Sequence, residues 1–95
     1  MNSTIHLRIR GRVQGVGYRY ALRAAAQANG ISGWVRNCRD GTVEAVVQGD
    51  SQAVDMLLAW ANRGPPAARV VGVDAQPAQG EFDRPYKGFE ELPTA

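Results

Sequence analysis

One cysteine and one histidine are all that this chain of 95 residues has of either type. Cys38 has no partner for an internal disulfide, which points to a reducing compartment. His6 and Cys38 stand far apart in sequence, and neither belongs to a pair with metal-ligand spacing. A histidine–cysteine nucleophile would have to use these two residues. His6 alternates with apolar neighbours, so it is expected to face solvent from a strand. No apolar run approaches the ~20 residues needed to span a bilayer. The opening MNSTIHLRIR lacks the apolar stretch and small-residue cleavage site of a signal peptide. The expected location is the cytoplasm, without a membrane partner. A net charge of +2 is too small to mark a nucleic-acid binder by itself.

What the sequence does have is arginine, placed unevenly. Arg8, Arg10, Arg12, Arg19 and Arg23 crowd the first quarter, while acids dominate the end. Composition leaves a local anion site and a solvated basic face both open.

The length allows one domain, read here as residues 1–95. Residues 5–10, IHLRIR, alternate cleanly and predict a half-buried strand. Residues 18–29, YRYALRAAAQAN, are rich in helix formers, with Leu22, Ala25, Ala26 and Asn29 on one face and Gly30 as the stop. ISGWVRN (31–37) and TVEAVVQ (42–48) flank the turn chemistry of Asp40-Gly41 and predict a hairpin. Asp50 or Ser51 caps a second helix. Its stripe is Val54, Leu57, Leu58 and Ala61, and Gly64-Pro65-Pro66 ends it. RVVGVDA (69–75) is a further strand. QPAQGEFDRPYKG has loop composition, and a short strand near Phe89 is weakly signalled. The order strand, helix, strand, strand, helix, strand is that of an α+β, ferredoxin-like split β-α-β sandwich. Both helices are expected on one face of an antiparallel sheet.

The loop GRVQGVGYR (11–19) leaves a strand and enters a helix. Its last amides are helix N-terminal groups without intrahelical partners. Gly15 and Gly17 can adopt positive φ, which lets successive N–H groups converge on an anion. Arg19 sits at the helix end that disfavours cations, unless an anion lies there. With a phosphate bound, its guanidinium would complete the same clamp. The loop lacks the Gly-Lys-Ser/Thr of a nucleotide-binding P-loop, and Tyr20 stands where a dinucleotide loop needs its third glycine. Spacing alone leaves an anion cradle and a plain tight turn both open. Asn37, read from spacing alone, is a turn-starting residue before CRDG.

GRVQGVGYR at 11–19, GWVRN at 33–37 and DGTVEAVVQG at 40–49 together resemble the acylphosphatase family, in its motif order and spacing. The resemblance covers roughly residues 5–75; the closing GFEELPTA matches only loosely, and Tyr18 stands where phenylalanine is commoner. It implies hydrolysis of the carboxyl–phosphate bond of acyl phosphates to carboxylate and inorganic phosphate, the latter also an inhibitor. It implies that Arg19 and Asn37 are catalytic. It implies that the amides of Gly15, Val16, Gly17, Tyr18 and Arg19 hold the phosphoryl oxygens. It implies no metal and no organic cofactor. No general acid or base stands beside either catalytic residue in the sequence. Arg23, one turn after Arg19, reads as a solvated or ion-paired surface residue. Cys38 reads as a passive turn residue and Trp34 as packing.

The competing reading is a non-catalytic binding module on the same fold, for phosphate, carbamoyl phosphate or RNA. An RNA binder of this fold stacks bases on aromatics of its central strands. Here the outward positions are His6, Arg8 and Arg10, and Thr42, Glu44, Val46 and Gln48, so no nucleic-acid partner is expected. A core closed within this length is compatible with a monomer.

Overall fold

The computed structural model describes all residues, Met1–Ala95. The alternation of Ile5, Leu7 and Ile9 runs through a longer strand than the pattern marks, β1 (Asn2–Arg12). After the loop come α1 (Tyr18–Ala28), β2 (Ser32–Asn37), β3 (Val43–Asp50), α2 (Ser51–Arg63) and β4 (Arg69–Pro77). A 3₁₀ turn, Gly80–Phe82, and a short β5 (Phe89–Glu91) complete the chain. The sheet order is β4-β1-β3-β2-β5. The first four strands pair antiparallel, whereas β5 runs parallel to β2, so the sheet is mixed.

Both helices cover one face. Tyr18, Leu22 and Ala26 of α1, with Val54 and Leu57 of α2, bury against Leu7, Ile9, Val35, Val43, Ala45 and Val47 of the sheet. Each valine, leucine and isoleucine among them contributes about 1.5–3 kcal/mol by leaving water. Leu58 packs only partly against this core. Asp50 caps α2, accepting from the Gln52 N–H at 3.2 Å.

The opposite sheet face is not the solvated surface that alternation predicts. The segment after β4 folds back across it. Gln48 donates to the Arg84 carbonyl at 2.9 Å and accepts from the Tyr86 N–H at 2.8 Å. Phe82 stacks against His6 and Trp34, with ring centroids 4.6 and 5.8 Å apart. Val46 and Glu44 are buried as a result. His6 is therefore no solvent-facing residue: its Nε2–H donates to Glu44 Oε2 at 2.6 Å. Arg36 donates to the other carboxylate oxygen at 2.8 Å, and Arg8 lies 3.5 Å away. Burial alone would push the Glu44 carboxyl up, but the hydrogen bonds and charges of His6 and Arg36 hold it below its ordinary value. A loop of mixed composition carries no period, which is why the sequence did not show this cover.

Candidate active site

The β1–α1 connection is built on a change of backbone handedness. Gly15 has φ of 72° and Gly17 of 80°, and no non-glycine residue, Val16 included, has positive φ. Alternating φ signs turn successive N–H groups to one side, the geometry of an anion nest. A side chain at either glycine would meet no neighbouring atom, so the backbone conformation and not space requires glycine there.

The nest runs directly into α1. Gly17 is the N-cap and offers no side-chain acceptor to the first-turn amides, and no acidic residue occupies that turn. The first amides keep their donors free, with the positive helix end uncompensated. Arg19 adds a full charge and forms no ion pair of its own. Of the other early arginines, Arg12 is exposed and unpaired at the end of β1, and three are occupied. Arg8 pairs with Asp40 and Glu44, Arg10 with Asp74 and Arg23 with Glu91. The basic cluster of the sequence thus resolves into three ion-paired arginines, an exposed Arg12 ahead of the loop, and Arg19 at the helix start.

Gly15, Gly17, Tyr18 and Arg19 line a small open cavity of about 130 Å³ with Val13, Tyr20 and Glu91. Val16 turns its side chain away and packs against the core. Tyr18 anchors the helix start from below. Its hydroxyl donates to the Ala61 carbonyl at 2.8 Å, and burial pushes its phenol well above the ordinary range. The Ala61 carbonyl would bond to the N–H four residues on, but that residue is Pro65, which has none. The tyrosine hydroxyl takes the missing donor's place.

Asn37 ends β2 on the helix-bearing face, opposite Val43. It does not line the cavity itself. Its Oδ1 is buried and has no hydrogen-bond partner in the protein, a rare condition for a buried acceptor. Its position is over-determined. The Ala95 N–H donates to its carbonyl at 3.0 Å, and the following turn is closed by Cys38 N–H to Thr42 carbonyl at 2.9 Å. Asp40 accepts from the Thr42 N–H and hydroxyl at 3.0 and 2.6 Å. These bonds, with the Arg8 charge, hold the Asp40 carboxyl below its ordinary value.

Gln14 joins the two halves. Its Nε2 donates to the Cys38 carbonyl at 2.8 Å and to the Thr42 carbonyl at 2.9 Å. Both partners are acceptors, so the amide nitrogen must face them. The loop is thereby fastened to the turn that starts one residue beyond Asn37.

A profile of the acylphosphatase family matches residues 5–90. The chain belongs to the acylphosphatase family. It is 53% identical over 88 residues to an acylphosphatase of Thiobacillus denitrificans, covering 93% of this chain and 94% of that one. To an acylphosphatase of Thermococcus kodakarensis it is 55% identical over 71 residues, covering 75% and 78%. The solved structure of an acylphosphatase from Coxiella burnetii superposes with a TM-score of 0.87 at 33% identity, covering 96% of this chain and 93% of that one.

In this acylphosphatase-family chain, two residues at the site escaped sequence reasoning. Gln14 sits inside the quoted loop, but nothing in its spacing shows that it reaches the β2–β3 turn. Glu91 lies far down the chain and arrives through the parallel pairing of β5 with β2, where it stands opposite Val35. The fold therefore does bring a carboxylate beside the cradle. Arg23 grips that carboxylate at 3.3 Å and does not line the cavity, in keeping with its ion-paired surface reading. Trp34 and Cys38 face the other side of the sheet. The Cys38 thiol is buried between Arg8 at 3.7 Å and Glu44 at 3.9 Å. No helix is long and apolar enough to cross a membrane.

Proposed function

We propose that the chain is a catalytic acylphosphatase, one such domain over residues 1–95, in which the site residues divide the work as follows. The amides from Gly15 to Arg19 and the Arg19 guanidinium hold the phosphoryl oxygens. Asn37 Oδ1 accepts a hydrogen bond from the attacking water and keeps it in line with phosphorus. The observation that carries this reading is the nest of alternating handedness that runs into an uncapped helix start bearing Arg19.

The equipment suits the reaction. The leaving group is a carboxylate whose conjugate acid has a pKa of about 4, so it departs without a general acid. Phosphoryl transfer passes through a loose transition state with charge on the phosphoryl oxygens. Positioning and electrostatic stabilisation then carry most of the catalysis. Arginine stays protonated and asparagine does not titrate, so both keep their roles across neutral pH. The water's proton passes to the substrate. Acyl phosphates and inorganic phosphate are the small-molecule partners, and the protein acts as a monomer in the cytoplasm.

The test is metal-free hydrolysis of benzoyl phosphate. Arg19→Ala and Asn37→Ala should each lose about 10²–10³-fold in kcat with the fold intact. Arg23→Ala should retain much of the activity. Inorganic phosphate should inhibit competitively, and less well in Arg19→Ala. Inactive wild-type protein overturns the enzymatic reading, and wild-type turnover in Arg19→Ala overturns the site.

A further inference from the structure

A carboxylate in the wall of a phosphoryl cradle is an electrostatic contradiction. It opposes the binding of the one group the cradle is built to hold. Glu91 nonetheless lines the cavity beside Arg19, Gly15 and Gly17. It is held there from two sides. The backbone fixes it in register with Val35, one pleat from Asn37, and the Leu92 N–H donates to the Val35 carbonyl at 2.9 Å. Arg23 bonds one of its carboxylate oxygens from outside the cavity, at 3.3 Å. Glu91 thus lines the cavity while its carboxylate is bonded to an arginine that does not. The side chain is 27% exposed, so it meets both the site and the solvent at the mouth.

A loose transition state asks little of a base, so the placement is better explained by what else a substrate carries. We propose that Glu91 sets the charge specificity for the acyl portion of the substrate. Acyl chains that are neutral or bear an ammonium group are accepted, and acyl chains bearing a second carboxylate are disfavoured. This rests on the reading of the 15–19 loop as the phosphoryl site. Like-charge juxtaposition in a partly desolvated mouth discriminates through repulsion, while the phosphoryl contacts stay common to all substrates. A differential of roughly 5-fold between neutral and carboxylate tails is expected for a partly exposed pair of charges.

Binding of non-hydrolysable phosphonates tests this without depending on turnover. Propylphosphonate, 3-phosphonopropionate and 3-aminopropylphosphonate supply neutral, anionic and cationic tails on one headgroup. Calorimetric titration of the wild type should rank them cationic, neutral, anionic, with about 5-fold between neutral and anionic. The gap should shrink in high salt. Glu91→Gln, which keeps the shape, should close the gap while tightening all three through the shared headgroup. Arg23→Gln should widen it, because the carboxylate loses its partner. An unchanged tail ratio in Glu91→Gln overturns the proposal. So does a Glu91→Gln enzyme that loses kcat and one limb of its pH profile at constant tail ratio, which would make the residue a base. Failure of the cradle reading has a separate signature: all three phosphonates would bind Arg19→Ala as tightly as wild type, and the specificity proposal would fall with it.

Discussion

Replacing Gln14 by alanine should damage both stability and catalysis, through one side chain that touches no substrate. The amide donates two hydrogen bonds, to the carbonyls of Cys38 and Thr42. Each carbonyl keeps another donor, Gly41 N–H at 3.1 Å for Cys38 and Cys38 N–H at 2.9 Å for Thr42. Neither is orphaned, so the loss stays near the ordinary net value of a bond, about 2 kcal/mol for the pair. For a domain of this size that lowers Tm by roughly 8–15 °C, and the chain remains folded at 25 °C on a typical stability of about 5–15 kcal/mol. The catalytic effect has a different origin. Without the tie, the loop and the end of β2 drift independently, and a misplacement of about 1 Å between the proposed phosphoryl cradle and the proposed water site costs on the order of 10²-fold. Gln14→Glu sharpens the test. It keeps the shape but points an acceptor at two acceptors, so it should fall below Gln14→Ala on both measures at pH 7. Thermal unfolding and benzoyl phosphate turnover decide the matter. Wild-type Tm and kcat in Gln14→Ala refute the argument. A lowered Tm with wild-type kcat shows that the tie supports the fold and not the geometry of the site.

Tyr18→Phe should leave kcat nearly unchanged, because the ring and the backbone amide remain. It should cost about 1–3 kcal/mol in denaturant unfolding by orphaning the Ala61 carbonyl, and an unchanged midpoint would contradict the assignment. Acid should weaken the fold through Glu44. Its carboxyl is held below the ordinary value of 4.5, so its stabilisation is complete above that pH and disappears as pH falls through the lower folded value. Tm followed from pH 6 to 3 should therefore drop. Glu44→Gln should start lower and drop less steeply, with a residual slope from Asp40. A parallel pair of curves would show that Glu44 is not responsible.

The legible parts were those with a period or a dense local motif. Leu7 and Ile9, Val43 and Val47, and Val54 and Leu57 announced their faces because strands and helices bury at fixed intervals. The glycines of the loop announced a backbone conformation, although spacing alone did not separate a cradle from a turn. Asn37 needed the family resemblance, since an asparagine before a turn is ordinary. Gln14 and Glu91 were hidden for a geometric reason. The first acts across a turn 24 and 28 residues away, and the second depends on an edge strand of three residues with almost no sequence signature. The cover over the second sheet face was hidden because an aperiodic segment does not declare what it packs against. His6 was misplaced for the same reason: alternation tells which side of a sheet a residue takes, not whether something lies on that side.

The site draws on the β1–α1 loop, the end of β2 and the edge strand β5, which are remote in sequence and adjacent only in the finished sheet. Closing such long chain separations is slow compared with forming a helix or a hairpin. Helix α1 and the β2–β3 hairpin can form on local interactions, yet neither contains more than one part of the site. The glycine loop with Arg19, Asn37 with its buried Oδ1, and the acidic Glu91 come into register only when the strand order is complete. During refolding, the appearance of turnover would mark the end of assembly, arriving after the helical signal.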